Sequence, residues 1–292
     1  MSEFLGYLIP GIMTGFVYAL VALGFVLIFK CSGVLNLAQG QLVIIGAYIF
    51  YAVSVGLPLW AAVLATLVIT ALMGLLIERT VMRRMIGQPV LAVILITLAI
   101  GSILTGIMIL VWGPGTLSLP RLFPDGGVNL LGVSISYSRI CFMGVSLVLF
   151  AILFLFFRFS RMGLGMMAVA DDQQAAQSVG IKVSSALALS WAIAAVVSGI
   201  AGMLLTSVSG VHYSAVGIGL SAIAVVLVGG LESVGGVLVA GPLIGAIEGI
   251  SAGYLDPLTG GGMAEVSPYI VLVLVLMIRP SGLFGWKRIE RV

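Results

Sequence analysis

Apolar residues in this chain run in blocks long enough to cross a bilayer, and polar residues gather in the gaps between them. A spanning helix needs about 20 mostly apolar residues. Phe4 to Phe29 carries no charge and predicts the first span. Cys31 to Ile77 is again uncharged and long enough for two, over Leu35–Val55 and Leu59–Ile77, with Gly56-Leu57-Pro58 as the turn. Leu91–Trp112 and Ile140–Phe157 predict the next pair, and Ala186–Thr206 follows a polar interruption. Ala215–Gly253 is broken only by Glu232 and Glu248 and predicts two spans meeting near Gly229–Gly236. Val266–Ile278 is the last, and it is short unless it draws in residues before Glu265. The expected fold is therefore all-α, a polytopic transmembrane helix bundle of eight to nine crossings in a single domain over residues 1–292.

Composition agrees with this pattern. Hydrophobic residues make up 61% of the chain and charged residues 8%, against roughly 45–50% apolar usage in soluble domains. The mean hydropathy is +1.29. No stretch has the polar surface of a soluble domain. The net charge of +3 is not a nucleic-acid signal, because the basic residues sit beside spans and form no patch. Cys31 and Cys141 lie in apolar surroundings and read as small buried hydrophobes, not as a disulfide or metal pair. Met1-Ser2-Glu3 lacks a positive n-region and the apolar run outlasts a signal's core, so no removable signal is expected.

Orientation follows from Lys and Arg near span ends. Arg79, Arg83 and Arg84 form one cluster, Arg158, Arg161 and Lys182 a second, and Arg279, Lys287, Arg288 and Arg291 a third. Two spans separate the first from the second and four the second from the third, so all three fall on one side, the cytoplasmic one. Nine crossings put the start of the chain outside; if Cys31–Ile45 enters and returns, the count is eight and the start moves inside. Gly113–Ser138 is then the largest external segment.

The second cluster belongs to a polar island at about 158–184, whose RMGLGMMAVADDQQAAQSVGI holds helix formers, Asp171 and Asp172, and Gly180 at a plausible helix stop. Two readings are open: an ordinary loop, or a short exposed cytoplasmic helix through which a soluble partner transmits force.

Transport sites are built where a membrane helix is interrupted, since freed backbone groups and half-helix dipoles can face a solute. Asn36, Gln39 and Gln41 bring three amides into an apolar stretch in which Gly33 and Gly40 let the backbone open. Lys30, costly at a helix centre, is expected at an interface. Gly229, Gly230 and Ser233 mark a second break, with close helix packing as the alternative to lining a solute path. Glu248, inside an apolar run, is either functional or an interfacial carboxylate. There is no G-x-x-x-x-G-K-[ST], so the chain is not expected to hydrolyse ATP itself. The lone His212 reads as a solvated loop residue, and no Cys/His cluster could hold a metal.

Four segments then resemble a known family. They are TGFVYALVALGFVLIFKCSGVLNLAQGQLVIIGAY, ADDQQAAQSVGI, VLVGGLESVGGVLVAGPLIGAIEGISAGYL and RPSGLFG, in that order over nearly the whole chain. The chain is identified as similar to the permease subunits of bacterial branched-chain amino acid ABC importers, specifically the shorter of the two homologous permeases. The resemblance implies a multi-pass subunit of the bacterial inner (cytoplasmic) membrane that moves branched-chain or other small amino acids and performs no catalysis. It implies a second homologous permease, two ATP-binding subunits and an extracytoplasmic solute-binding protein as partners, besides membrane lipid. No cofactor is implied for this chain, since ATP would sit on the partner subunits. It makes the island the coupling helix, mapped to Ala170, Asp171, Asp172, Ala175, Ala176, Gly180 and Ile181, and leaves Asn36, Gln39, Gly40, Gln41, Gly229, Gly230 and Ser233 as expected path residues. Family members often carry an acidic residue where this chain has Gln41 and His where it has Gln39, and Glu232 stands where Gly is more usual. Related permeases serve urea and short amides, the nearest alternative; an ion-coupled carrier is the more distant one.

Overall fold

The computed structural model describes residues 2–118, 122–124, 126–130 and 132–285. Pro120 and the basic residues Lys287, Arg288 and Arg291 lie outside the described residues. Among the described residues the protein is all-α apart from one small hairpin, with 79% helix. Helix α1 runs over Ser2–Ser32, α2 over Gln39–Ser54, α3 over Leu59–Thr80 and α4 over Val90–Trp112. The hairpin β1 (Gly127–Leu130) and β2 (Val133–Ser136) precedes α5 at Tyr137–Phe159. Two short helices follow, α6 (Arg161–Asp171) and α7 (Gln173–Ser178), and then α8 at Val183–Ser209. The chain ends with α9 (Ile218–Gly229), α10 (Val234–Tyr254), α11 (Asp256–Thr259) and α12 (Met263–Ile278).

Among the described residues, six helices are long and apolar enough to cross a membrane: α1, α3 with the 3₁₀ turn after it, α4, α5, α8, and α10 with α11. Three shorter apolar helices accompany them, α2, α12 and α9 with the 3₁₀ turn Tyr213–Gly217 before it. The expected spans thus recur as helices, with the expected interruptions between α1 and α2 and between α9 and α10. One difference concerns α2, which begins only at Gln39 and is 16 residues long. Another is α12, which starts at Met263 because the Asp256 carboxylate accepts hydrogen bonds from the Met263 and Ala264 N–H groups, at 2.7 and 3.1 Å.

The residues group into two compact units. The first holds residues 1–22, 123–150 and 221–292, and the second holds 23–122 and 151–220. Each is built by close helix contact through small residues, the device that replaces hydrophobic burial inside a membrane. In the first unit Gly11 and Gly15 of α1 meet Gly241, Gly245 and Gly249 of α10, backbone against backbone. In the second, Gly46 of α2 meets Gly199 of α8, and Gly74 of α3 meets the Trp191 carbonyl of α8. Cys31 is buried and Cys141 half-buried, both as free thiols.

Candidate functional site

The break between α1 and α2 lies in the second unit. Gly33 takes φ +69°, the left-handed conformation that ends helices, and its N–H still reaches the Phe29 carbonyl at 2.8 Å. The chain then runs irregularly to Ala38. Asn36 and Gln39 have no exposed surface. The Asn36 Oδ1 accepts from the Ala38 N–H at 3.1 Å, and its Nδ2 donates to Gln39 Oε1 at 3.4 Å. Gln39 Nε2 donates to Ser198 Oγ on α8 at 2.7 Å, and Ser198 Oγ donates on to the Ala194 carbonyl at 2.6 Å. Thr97 of α4 accepts the Leu37 N–H at 3.1 Å. Each such group left bare in an apolar interior would cost about 1–3 kcal/mol, so α4 and α8 hold the opened backbone in shape. Gly40 is buried, and a Cβ there would fall 3.2 Å from the Gly219 α-carbon. Gln41 differs from the other two amides. It is half-buried beside Gly101, and its side chain makes no hydrogen bond among the described residues.

The Gly-rich break lies in the first unit. α9 ends at Gly229, Gly230 turns the chain with φ +104°, and Ser233 caps α10 by accepting the Gly236 N–H at 2.9 Å. A Cβ on Gly236 would sit 2.9 Å from the Gly229 carbonyl carbon, and one on Gly230 2.6 Å from the Gly285 nitrogen. The Leu283 and Phe284 N–H groups donate to the Val228 and Gly229 carbonyls at 2.8 and 3.2 Å. The RPSGLFG segment is thus laid on the break, and these glycines serve close backbone approach.

The island is helical in two pieces, not one. Ser160 caps α6 by accepting the Gly163 N–H at 2.9 Å. α6 stops at Asp171, and the Asp172 carboxylate accepts from the Gln174 and Ala175 N–H groups at 2.8 and 3.0 Å to start α7. α7 closes with Gly180 at φ +88°, where the Gly180 and Ile181 N–H groups return to the Gln177 and Ala176 carbonyls, both at 3.0 Å. That pair of bonds is a Schellman stop. Asp171, Asp172, Ala175 and Gly180 are exposed, Ala170 and Ile181 are half-buried, and Ala176 is buried. The apolar Val179 and Met162 are 75% and 66% exposed beside them, which the sequence reading missed. Gln173 of α7 and Val34 of the first break line one cavity of about 270 Å³ together with Trp191. The Trp191 indole N–H is buried and has no acceptor among the described residues.

Other polar residues have local explanations. Glu78 is 1% exposed and receives a two-point hydrogen-bonded ion pair from Arg83, at 3.1 and 3.0 Å. His212 is not simply solvated: its ring nitrogens lie 2.7 Å from the Pro114 carbonyl and 2.6 Å from Ser214 Oγ. Lys30 stands in the last turn of α1, its Nζ 5.0 Å from the centre of the Phe157 ring. Among the described residues no His, Cys, Asp and Glu gather as metal ligands would.

Among the described residues, six long apolar helices packed through small residues define a multi-pass membrane protein. Residues 7–278 match the family described as branched-chain amino acid transport system / permease component, and the chain belongs to that family. It is 30% identical to the high-affinity branched-chain amino acid transport system permease protein BraD of Pseudomonas aeruginosa, covering 99% of this chain and 98% of that one. The corresponding LivH protein of Escherichia coli is 28% identical over the full length of both. A probable LivH permease of Methanocaldococcus jannaschii is also 28% identical, over 94% of this chain and 90% of its own. The family role is transport, not catalysis.

Proposed function

We propose that this chain is the transmembrane permease subunit of an ATP-driven importer that carries branched-chain or other small amino acids across the bacterial cytoplasmic membrane. The observation that carries this reading is the end-to-end match to permeases named for branched-chain amino acid transport. An extracytoplasmic solute-binding protein delivers the amino acid, and a second homologous permease completes the path. Two ATP-binding subunits bind and hydrolyse the nucleotide, so this chain carries no cofactor of its own. The two units work as one permease domain.

Force enters at α6 and α7. The exposed Asp171, Asp172 and Ala175, with Val179 and Met162, offer the ATPase a rigid and partly apolar face. The cavity shared by Gln173 and Val34 supports a short mechanical route from that face to the break before α2. There Asn36, Gln39 and Gly40 hold the break that shapes the path, and Gln41 is the amide free to meet the solute. Gly229, Gly230 and Ser233 shape the second break.

Nine crossings, with the start of α1 outside, fit this arrangement. In the first unit one cavity is lined by Gly6 of α1, Arg139 at the start of α5 and Ala252 near the end of α10. In the second, Lys30 near the end of α1 lies against Phe157 near the end of α5, beside the basic residues Arg158 and Arg161. α2, α9 and α12 then cross as short helices, tolerated at membrane depth where protein covers the freed backbone.

The test is uptake of radiolabelled leucine, isoleucine and valine in a host lacking its own importers for them. Co-expression with the partner genes restores ATP-dependent uptake, and omission of this chain abolishes it. Assembled components that take up urea or short amides, but none of the three amino acids, would overturn the substrate reading.

A further inference from the structure

Glu248 is unexplained by anything above. It lies on α10 inside the first unit, where the Tyr18 hydroxyl donates to its Oε1 at 2.8 Å. Its other oxygen, Oε2, is buried and has no hydrogen-bond partner among the described residues. A bare carboxylate oxygen in an apolar bundle is costly unless something completes it. The residue lines a cavity of about 340 Å³, at the lower end of the range for small-molecule sites. The cavity also holds Arg139, the first basic residue of α5, which makes no ion pair or hydrogen bond among the described residues. The two opposite charges face one space and are not bonded to each other.

The rest of the wall is suited to a small polar guest. Gly11, Gly245 and Gly249 line the cavity where α1 and α10 meet backbone against backbone. Pro10 lies inside α1 and has no N–H to give the Gly6 carbonyl its helical hydrogen bond. Gly6 itself lines the cavity.

We propose that this cavity binds a zwitterion bearing a primary ammonium group, with the ammonium at Glu248 and the anionic end at Arg139. Two sources share that chemistry. One is a free α-amino acid arriving at the outer side, which rests on the proposed function; the other is the headgroup of an aminophospholipid.

The experiment uses the full chain in nanodiscs of phosphatidylglycerol alone, with labelled leucine as the probe. Two competitors each lack one charge, 4-methylpentanoate the ammonium and 3-methylbutylamine the carboxylate. Wild-type protein binds leucine in preference to both. Glu248→Gln keeps an acceptor for Tyr18 but loses the charge; it weakens leucine binding about tenfold and erases the preference over 4-methylpentanoate. Arg139→Gln erases the preference over 3-methylbutylamine instead. A merely structural role would shift stability and leave both selectivities alone, so unfolding temperature is measured alongside. A second arm uses phosphatidylethanolamine nanodiscs and native mass spectrometry. Retention of that lipid by wild type but not by the two variants, with no leucine bound, assigns the site to the headgroup.

Folded variants that change neither leucine selectivity nor lipid retention would overturn the proposal. Failure of the function reading looks different: the assembled wild-type importer takes up no amino acid, while the lipid arm still decides the cavity.

Discussion

Asn36, Gln39 and Gln41 are three amides within six residues, and their surroundings divide them. Asn36 and Gln39 are spent on Ala38, on each other and on Ser198, so they act as braces. Asn36→Leu leaves the Ala38 N–H without its acceptor. It should lower both the unfolding temperature and leucine uptake at normal membrane levels; unchanged uptake with unchanged selectivity would remove this stretch from the path. Gln41→Leu removes no internal bond, so it should leave stability within about 0.5 kcal/mol of wild type. Its effect should fall on uptake alone. A variant that is destabilised, or transports normally, would show that Gln41 does not face the solute. The sequence marks the amides as a group, because polar side chains are rare in such a run. It cannot separate braces from free groups, since Ser198 lies 159 residues from Gln39 and Thr97 lies 60 from Leu37.

Helices are the scale at which the sequence is most readable. Uncharged blocks become helices because a membrane leaves the backbone no other partner than itself. The boundaries that escape are those set by single hydrogen bonds or turns. α2 starts late because the Asn36 network holds the chain open, and the island divides because Asp172 turns from helix member to cap. The β1–β2 hairpin alternates apolar and polar residues, as in Val133-Ser134-Ile135-Ser136, but its four-residue strands are too short to stand out beside the long apolar blocks. Two adjacent glycines test the packing reading of the second break. A Cβ on Gly235 meets nothing within 4 Å, whereas one on Gly236 would crowd the Gly229 backbone. Gly235→Ala should therefore express and unfold like wild type, while Gly236→Ala should lose folded protein; equal behaviour would show that α9 and α10 do not approach as described. The cap gives a second contrast. Asp172→Ala should cost about 0.5–2 kcal/mol of local stability and uncouple transport from ATP hydrolysis, Asp172→Asn should retain most activity, and Asp171→Ala should be milder than Asp172→Ala. Measured side by side, ATPase stimulation and uptake would expose the island as an ordinary loop if all three variants matched wild type.

For the whole molecule, the question that decides the mechanism is how many times the chain crosses. Six helices are long enough alone, and the count reaches nine only if α2, α9 and α12 cross as well. At about 1.5 Å per residue, the 16 residues of α2 reach about 24 Å, short of a full hydrocarbon core. Basic residues on their own do not decide, because removing the α2 crossing and moving the start of α1 inside leaves every cluster where it was. The start of α1 is therefore the position to probe. Glu3 and Leu258 are exposed near the ends of the first unit's helices, and Ala175 is exposed on α7. With Cys141 replaced by Ser, cysteines at Glu3 and Leu258 should react with a membrane-impermeant thiol reagent from outside, and one at Ala175 only from inside. Labelling of position 3 from the inside alone would make the count eight and turn the Asn36 segment into a re-entrant loop. Labelling of position 175 from outside would invert the protein and place α7 beyond the reach of any ATPase.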